Sequence, residues 1–136
     1  MRVVLDTNIL ISALISHDSP PARIYRAWRI GEFELITAEI QLEEIRRASR
    51  YPKLRAVLEP HLVGKMVNRL HRATVIDHIP QLHDAADPND SWLLSLADTS
   101  GADFLVTGDK RAGMLALGGI GRARIVTAAL FAERFD

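Results

Sequence analysis

The sequence predicts an α/β fold, a three-layer α/β/α sandwich with a central, mostly parallel sheet of about five short strands. Short apolar runs rich in β-branched residues alternate with helical patterns along the whole chain. Alternation of this kind is typical of parallel sheets with helices on both faces. The length of 136 residues, of which 48% are hydrophobic, predicts a single domain over residues 1–136 with a core of its own.

The first half of the chain predicts two strands, each followed by helices. The strands are expected at 3–5 and 33–36, and the helices begin at Asn8, at Pro20 and, with Thr37 as N-cap, after the second strand. Apolar residues recur at helical spacing after Asn8, proline is tolerated in a first helical turn, and Gly31 is a typical stop. The third helix is expected to end before Tyr51-Pro52.

The second half continues the alternation. A helical region over 54–73 with a break at Pro60 leads to a strand at 74–76, a polar loop over 78–88 and a helix over 90–99. A fourth strand at 104–107, a short helix to about Leu117, a glycine-rich turn over 118–121, a fifth strand near 125–126 and a final helix complete the chain.

The composition argues against secreted, membrane and disulfide-rich proteins and against a zinc site. The chain has no cysteine, no apolar run near the roughly 20 residues that a membrane helix needs, and an acid at position 6, too early for a secretory signal. We therefore expect a cytoplasmic protein with no membrane partner, no disulfide framework and no thiolate zinc site. The five histidines also lack the HxxxH spacing of a zinc site.

The charges are balanced but unevenly distributed. Seventeen basic and seventeen acidic side chains give a net charge of zero, yet residues 1–72 hold twelve basic and eight acidic ones. A neutral protein has no general attraction to a polyanion, so nucleic-acid binding requires a local patch. The densest candidate is Arg46, Arg47, Arg50, Lys53 and Arg55, for which a solvated helix face is the alternative explanation.

Acidic residues follow the predicted strands. They are Asp6 after the first strand, Glu43 and Glu44 on the helix after the second, Asp87 and Asp90 after the third, and Asp109 after the fourth. Sheets of this class bind ligands outside the carboxyl ends of their strands. Alone, Asp87 or Asp90 is explained as a helix N-cap. Asp6 follows a buried strand without any turn sequence, and the coincidence of four such connections favours a functional site.

Converging carboxylates predict a metal ion. Two of them about 4 Å apart repel by roughly 4 kcal/mol at an effective dielectric near 20. A hard cation relieves this repulsion, and all-oxygen ligands suit Mg²⁺ or Mn²⁺. Such ions serve phosphoryl chemistry. Since the chain has neither a GxxxxGK(S/T) loop nor a strand-linked GxGxxG, the phosphate of a nucleic-acid backbone is the favoured substrate.

Four segments resemble, in family order, the acidic motifs of PIN-domain ribonucleases. They are residues 3–13, residues 35–54, residues 87–90 with the leucine-rich helix that follows, and residues 103–109. The segments span nearly the whole chain, and the first and last are the most specific. The resemblance is strongest to toxin components of bacterial VapBC-like toxin–antitoxin pairs.

This resemblance implies an α/β/α sandwich and a Mg²⁺- or Mn²⁺-dependent endoribonuclease, usually a homodimer inhibited by a small antitoxin protein. It implies that Asp6, Asp90 and Asp109 hold the metal and that Glu44 is the remaining catalytic acid, with Glu43 as the fallback. Supporting positions match Asn8, Thr107 and Asp87. Ala38 departs from the family pattern, in which serine is usual, but removes no acid.

Single-stranded or looped RNA is the expected substrate, because a scissile phosphate must enter a carboxylate-lined pocket. The stretch from Arg46 to Arg55 is expected to bind flanking phosphates. Three alternatives stay open: a nuclease for structured DNA, a non-catalytic binding module, and a receiver-like domain with a magnesium-binding acid pocket. The zero net charge disfavours the first, and the position of Lys110 away from a strand end disfavours the last.

Overall fold

A six-stranded sheet organises the part of the chain that the computed structural model describes: residues 1–81, 83, 85, 88–108 and 112–135, without the side chains of 89 and 112. Its strands are β1 (Arg2–Leu5), β2 (Glu34–Ala38), β3 (Thr74–Ile76), β4 (Phe104–Thr107), β5 (Gly119–Ile120) and β6 (Ala123–Thr127), in the spatial order β3-β2-β1-β4-β6-β5. Only β5 runs antiparallel to its neighbour, so the predicted mostly parallel sheet is confirmed.

Helices connect the strands. They are α1 (Thr7–Ile15), α2 (Pro20–Arg29), α3 (Glu39–Ala48), α4 (Pro52–Arg55), α5 (Pro60–Leu70), α6 (Pro88–Thr99), α7 (Ala112–Leu117) and α8 (Ala128–Ala132), followed by a 3₁₀ turn over Glu133–Phe135. The helix α2 begins at Pro20 and is followed by Gly31, at φ +86°, as the sequence predicts; Ser19 supplies its N-cap. Within the described residues, no helix is long and apolar enough to cross a membrane.

Two apolar cores lie on opposite faces of the sheet. Along β1, Val3 and Leu5 belong to one core and Val4 to the other, because successive side chains of a strand point to opposite faces. The first core is shared with α1, α2, α3, α5 and α8, and the second with α6 and α7. Both faces are therefore covered, which confirms the predicted three layers.

The chain reverses its direction of winding beside β1. From β1 it proceeds outward to β2 and β3, and then returns to place β4 on the other side of β1. In open parallel sheets, such a reversal leaves a crevice between the carboxyl ends of the two strands involved. Those ends are marked here by Asp6 and Thr107.

Three local predictions are wrong. Thr37 lies inside β2, paired in register with Val75, rather than capping α3; Ala38 takes the cap position without a side-chain hydrogen bond. The glycine-rich turn contains the edge strand β5, which pairs with β6, so the sheet has six strands rather than about five. In the predicted helical region over 54–73, Pro60 does not interrupt a helix. It begins α5, and the break lies before it, between the end of α4 at Arg55 and Pro60.

Candidate active site

Asp6 is a buried carboxylate at the carboxyl end of the central strand. It follows β1 directly, only 1% of its surface is exposed, and its backbone N–H donates to the Val106 carbonyl of β4 (2.8 Å). Its Oδ1 accepts a hydrogen bond from the backbone N–H of Asn8 (3.2 Å), so Asp6 caps α1. Asp6 therefore lies at the positive end of the α1 helix dipole, a position at which acidic side chains are common.

Thr107 ties the end of β4 to the same carboxylate. The Thr107 side chain is fully buried, and its hydroxyl donates to Asp6 Oδ2 (3.0 Å). Both Asp6 oxygens therefore accept hydrogen bonds from neutral donors on two different elements. This offsets part of the cost of burying a charge and orients the carboxylate at the crevice.

A buried polar network links the end of β1 to α3. Gln41, fully buried, donates from Nε2 to the Leu5 carbonyl (2.6 Å) and accepts at Oε1 from the Thr37 hydroxyl (2.6 Å). The same Nε2 lies 3.4 Å from Thr7 Oγ1, whose hydroxyl donates to Glu44 Oε1 (2.6 Å). The network places the Glu44 carboxylate beside Thr7, the residue next to Asp6.

The structure treats the two candidate glutamates differently. Glu44 is half-buried on the α1 side of α3 and accepts the short hydrogen bond from Thr7, whereas the Glu43 side chain is exposed. Neighbouring helical residues are separated by about 100° around the axis, so only one of the pair faces the crevice. This placement supports Glu44 as the second acid.

The remaining predicted site residues are placed only in part. Asp90 lies partly buried in the first turn of α6, a helix that packs against β1 and β4. Asp87 and Asp109 lie outside the described residues. Asn8 contacts Asp6 through its backbone N–H, while its side chain is exposed.

The donor set fits a hard divalent cation. Asp6, Glu44 and the two threonine hydroxyls offer oxygen atoms alone, which is the set that Mg²⁺ and Mn²⁺ prefer. Among the described side chains, which exclude Asp109, no three carboxylates or imidazoles already form a metal cluster. Within that same part of the chain, Glu44 makes no ion pair with a lysine or arginine, so its charge is not neutralised internally.

A cavity of about 550 Å³ opens at the same edge of the sheet. Its walls come from the start of α3, the end of β3 and the first turns of α6, and include Glu39, Ile76, Asp77, Pro88, Ser91 and Trp92. Pro88 and Ser91 flank Asp90 in the sequence. The cavity is therefore next to an element that carries a predicted acid, and it provides space for a ligand larger than a metal ion.

Sequence reasoning did not identify Thr7, Thr37 or Gln41 as site residues. A signal was present for Gln41, which shares the buried stripe of α3 with Ile45 and Ala48 at spacings of four and seven residues. A polar residue at a core position of an amphipathic helix requires a buried hydrogen-bond partner. Thr7 has no comparable signal, because its role depends on which side of α1 faces α3.

Comparisons with known proteins identify the family and the fold of the chain. Residues 2–111 match the protein family described as PIN domain. A solved structure with the same fold is that of VapBC2 from Rickettsia felis bound to a DNA fragment from their promoter. The match has a TM-score of 0.61 and 19% identity, and covers 93% of this chain and 98% of that chain. No curated relative matches the sequence.

Proposed function

Because the chain belongs to the PIN-domain family, as its sequence predicts, we propose that it is a metal-dependent endoribonuclease. The observation that carries the proposal is the buried Asp6 carboxylate at the crevice between β1 and β4, held by Thr107 and connected through its neighbour Thr7 to Glu44. Hydroxyl and backbone amide donors orient both carboxylates at the crevice.

Asp6, Asp90 and Asp109 would hold Mg²⁺ or Mn²⁺, with Glu44 completing the site directly or through water. When bound, the metal supplies Lewis-acid stabilisation of the phosphate charge and makes water more acidic. Thr107 and the Asn8 amide hold the Asp6 carboxylate in one orientation. Thr7 occupies Glu44 Oε1, which leaves Oε2 for a ligand or a water molecule.

The proposed reaction is hydrolysis of a backbone phosphodiester. Water attacks phosphorus in line with the 3′ oxygen, the bond between phosphorus and that oxygen breaks, and the oxygen leaves with a proton. The products are a 5′-phosphate and a 3′-hydroxyl. RNA is the favoured substrate because single strands and loops can present one phosphate to a recessed site.

The test is cleavage of a mixed pool of single-stranded and structured RNAs, with the matching DNAs, in manganese, magnesium or EDTA. We expect metal-dependent cuts in RNA that disappear in EDTA and in the Asp6→Asn variant. If only DNA is cut, the proposed RNA substrate is wrong, but the proposed metal-dependent hydrolysis of phosphodiesters stands. Absence of both cleavage and metal binding would overturn the proposal and favour a binding module.

We further propose that the chain is the toxin of a toxin–antitoxin pair and forms a homodimer in the cytoplasm. Two observations support the toxin role: the resemblance of the four motifs together to VapBC-like toxins, and the shared fold with the chain from the VapBC2 structure. Expression of the wild-type chain should arrest growth of a bacterial host, and the product of an adjacent gene should relieve the arrest. Asp6→Asn should be harmless. Sedimentation of the purified chain tests the dimer.

A further inference from the structure

Positive charge is concentrated in one helical segment. Residues 45–73, called here the basic segment, hold eight lysines and arginines and one acid, whereas the rest of the chain holds nine basic and sixteen acidic residues. The basic segment comprises the second part of α3, all of α4 and all of α5. In a protein of zero net charge, so large a local excess of positive charge makes this segment the strongest candidate to attract a polyanion.

Arg47 and Arg50 lie near the acid edge, defined here as the carboxyl end of β1 with Asp6 and, beside it, Glu44 of α3. The hydrogen bond from Thr7 fixes which side of α3 carries Glu44. Arg47 follows Glu44 on α3 at three residues, a step that turns back by about 60° and rises by about 4.5 Å. Arg50 lies two residues beyond the end of α3, in the turn that follows it, and both arginine side chains are exposed. Glu44, Arg47 and Arg50, called here the arginine row, therefore extend from the acid edge along α3 to the turn after it.

The row ends in a groove between α3 and α5. The groove has a volume of about 400 Å³ and is lined by Arg46 of α3, by Ser49 and Arg50 of the turn after it, and by Pro60, Val63, Gly64, Val67 and Asn68 from α5. Gly64 leaves its floor open, because a Cβ at that position would meet nothing within 4 Å. Arg46 is held at the wall by His71 Nε2 (3.2 Å) and by Glu39 (3.7 Å).

The basic side chains of the arginine row and of α4 make no ion pairs with acids among the described residues. Within the described residues, Arg47, Arg50, Lys53 and Arg55 make no side-chain hydrogen bond or ion pair, and all four are exposed. Elsewhere, Arg2 pairs with Glu34 and Arg122 pairs with Asp103. Uncompensated arginines beside an acid site suit phosphates, which accept hydrogen bonds from guanidinium groups readily.

We propose that the backbone of single-stranded RNA runs from the acid edge across Arg47 and Arg50 into the α3–α5 groove. This inference rests on the proposed function, since it places the scissile phosphate beside Asp6 and Glu44. The phosphates on one side of the cut contact the arginine row. The contacts are to the backbone, so they set affinity and register and do not distinguish bases.

Binding of a fluorescent single-stranded RNA, measured in the Asp6→Asn background between about 50 and 200 mM salt, separates this path from catalysis. The variant with Arg47→Gln and Arg50→Gln should bind several-fold more weakly. Its plot of log K against log salt should be less steep by about 1.4, which corresponds to two lost phosphate contacts. The matched control, Arg26→Gln with Arg29→Gln, removes the same charge from two exposed positions of α2 and should leave the slope unchanged.

The groove is tested separately with Gly64→Glu, which places a carboxylate on its open floor, beside Gly64→Ala as the neutral control. Weaker RNA binding by the glutamate variant alone supports the path. If the plot of log K against log salt has the same slope for the Arg47 and Arg50 double variant as for the Arg26 and Arg29 double variant, the proposed path is wrong, even if the wild-type chain cleaves RNA. If RNA binding depends on Arg47 and Arg50 but the wild-type chain cleaves no RNA, the proposed path is supported and the proposed reaction is wrong.

Discussion

Acids at the two ends of the parallel strands have different partners. Those at the amino ends, called here the amino edge, pair with arginines, and those at the carboxyl ends, the carboxyl edge, accept from hydroxyl and amide groups. At the amino edge, Glu34 pairs with Arg2 (3.5 Å) and Asp103 pairs with Arg122 (2.9 Å), so the chain neutralises its own charges close to solvent. At the carboxyl edge, the described hydrogen-bond donors to Asp6 and Glu44 are two threonine hydroxyls and one backbone amide. Glu34 and Asp103 are therefore neutralised within the chain, whereas Glu44, held by a neutral hydroxyl, keeps a carboxylate oxygen for an external cation.

The largest expected effect separates the two adjacent glutamates of α3. Glu44→Gln keeps the oxygen that accepts from Thr7 but loses the charge, so cleavage should fall by about 100-fold with little change in stability. Glu43→Gln, on the exposed side, is the matched control and should keep near-normal activity. RNA cleavage rates at saturating metal measure both. A reversed order would assign the second acid to Glu43.

The buried network can be broken without touching either acid. Gln41→Leu leaves the Leu5 carbonyl and the Thr37 hydroxyl unpaired in the core, so the free energy of unfolding should fall by about 3 kcal/mol. Thr37→Val removes only the far end of the network and should cost about 1–2 kcal/mol. Urea unfolding measures both values.

A positioning role for Gln41 predicts more than lost stability. In conditions where the Gln41→Leu variant is fully folded, the metal concentration at half-maximal cleavage should rise, because Thr7 and Glu44 lose their support. The Thr37→Val variant should show a smaller rise. Normal metal dependence in folded Gln41→Leu would reduce the network to a packing role.

Changes at the amino edge should be mild. The pair of Arg2 and Glu34 is well exposed, and such pairs contribute at most about 1 kcal/mol. Glu34→Gln should therefore change the free energy of unfolding by no more than this amount and leave cleavage intact. A large loss of activity would contradict the division between the two edges.

The smallest effect concerns acid stability. The backbone N–H of Arg2 donates to Asp103, and Arg122 lies beside it; together they hold the pKa of Asp103 below its ordinary value. A carboxyl with a lowered pKa in the folded state stabilises the fold above its unfolded pKa, and this contribution disappears as the pH falls through the folded value. Asp103→Asn should remove that part of the acid dependence of unfolding. An unchanged acid limb would show that Asp103 does not contribute.

The strands and the position of Asp6 could be predicted because both depend on short apolar runs in the sequence. Runs such as Val3-Val4-Leu5 fit only a buried strand, and an acid that directly ends such a strand must lie at a sheet edge. The cap at Thr37 was mispredicted, because a threonine before a helix reads equally as the last residue of a paired strand. The edge strand β5 is two residues long and depends on pairing with β6, which no local pattern reveals.

Side-chain partners were the least predictable part. The family pattern favoured Glu44 over Glu43, but the hydrogen bond from Thr7 depends on how α1 lies against α3, which is a tertiary property. Gln41 combines a helical position in the apolar stripe with a partner 36 residues away, at the Leu5 carbonyl. Local patterns therefore predict which acids are candidates, while packing between elements determines how the described ones, Asp6 and Glu44, are oriented.

Calorimetric titration of Mn²⁺ and Mg²⁺ into the purified chain tests most directly whether the carboxyl edge keeps its charge for an external cation. We expect the wild-type chain and the Glu34→Gln variant to bind the ion alike, and the Asp6→Asn variant, shown to be folded by its unfolding transition, to lose binding. Equal binding by Asp6→Asn and the wild-type chain, or a loss confined to Glu34→Gln, would contradict the account.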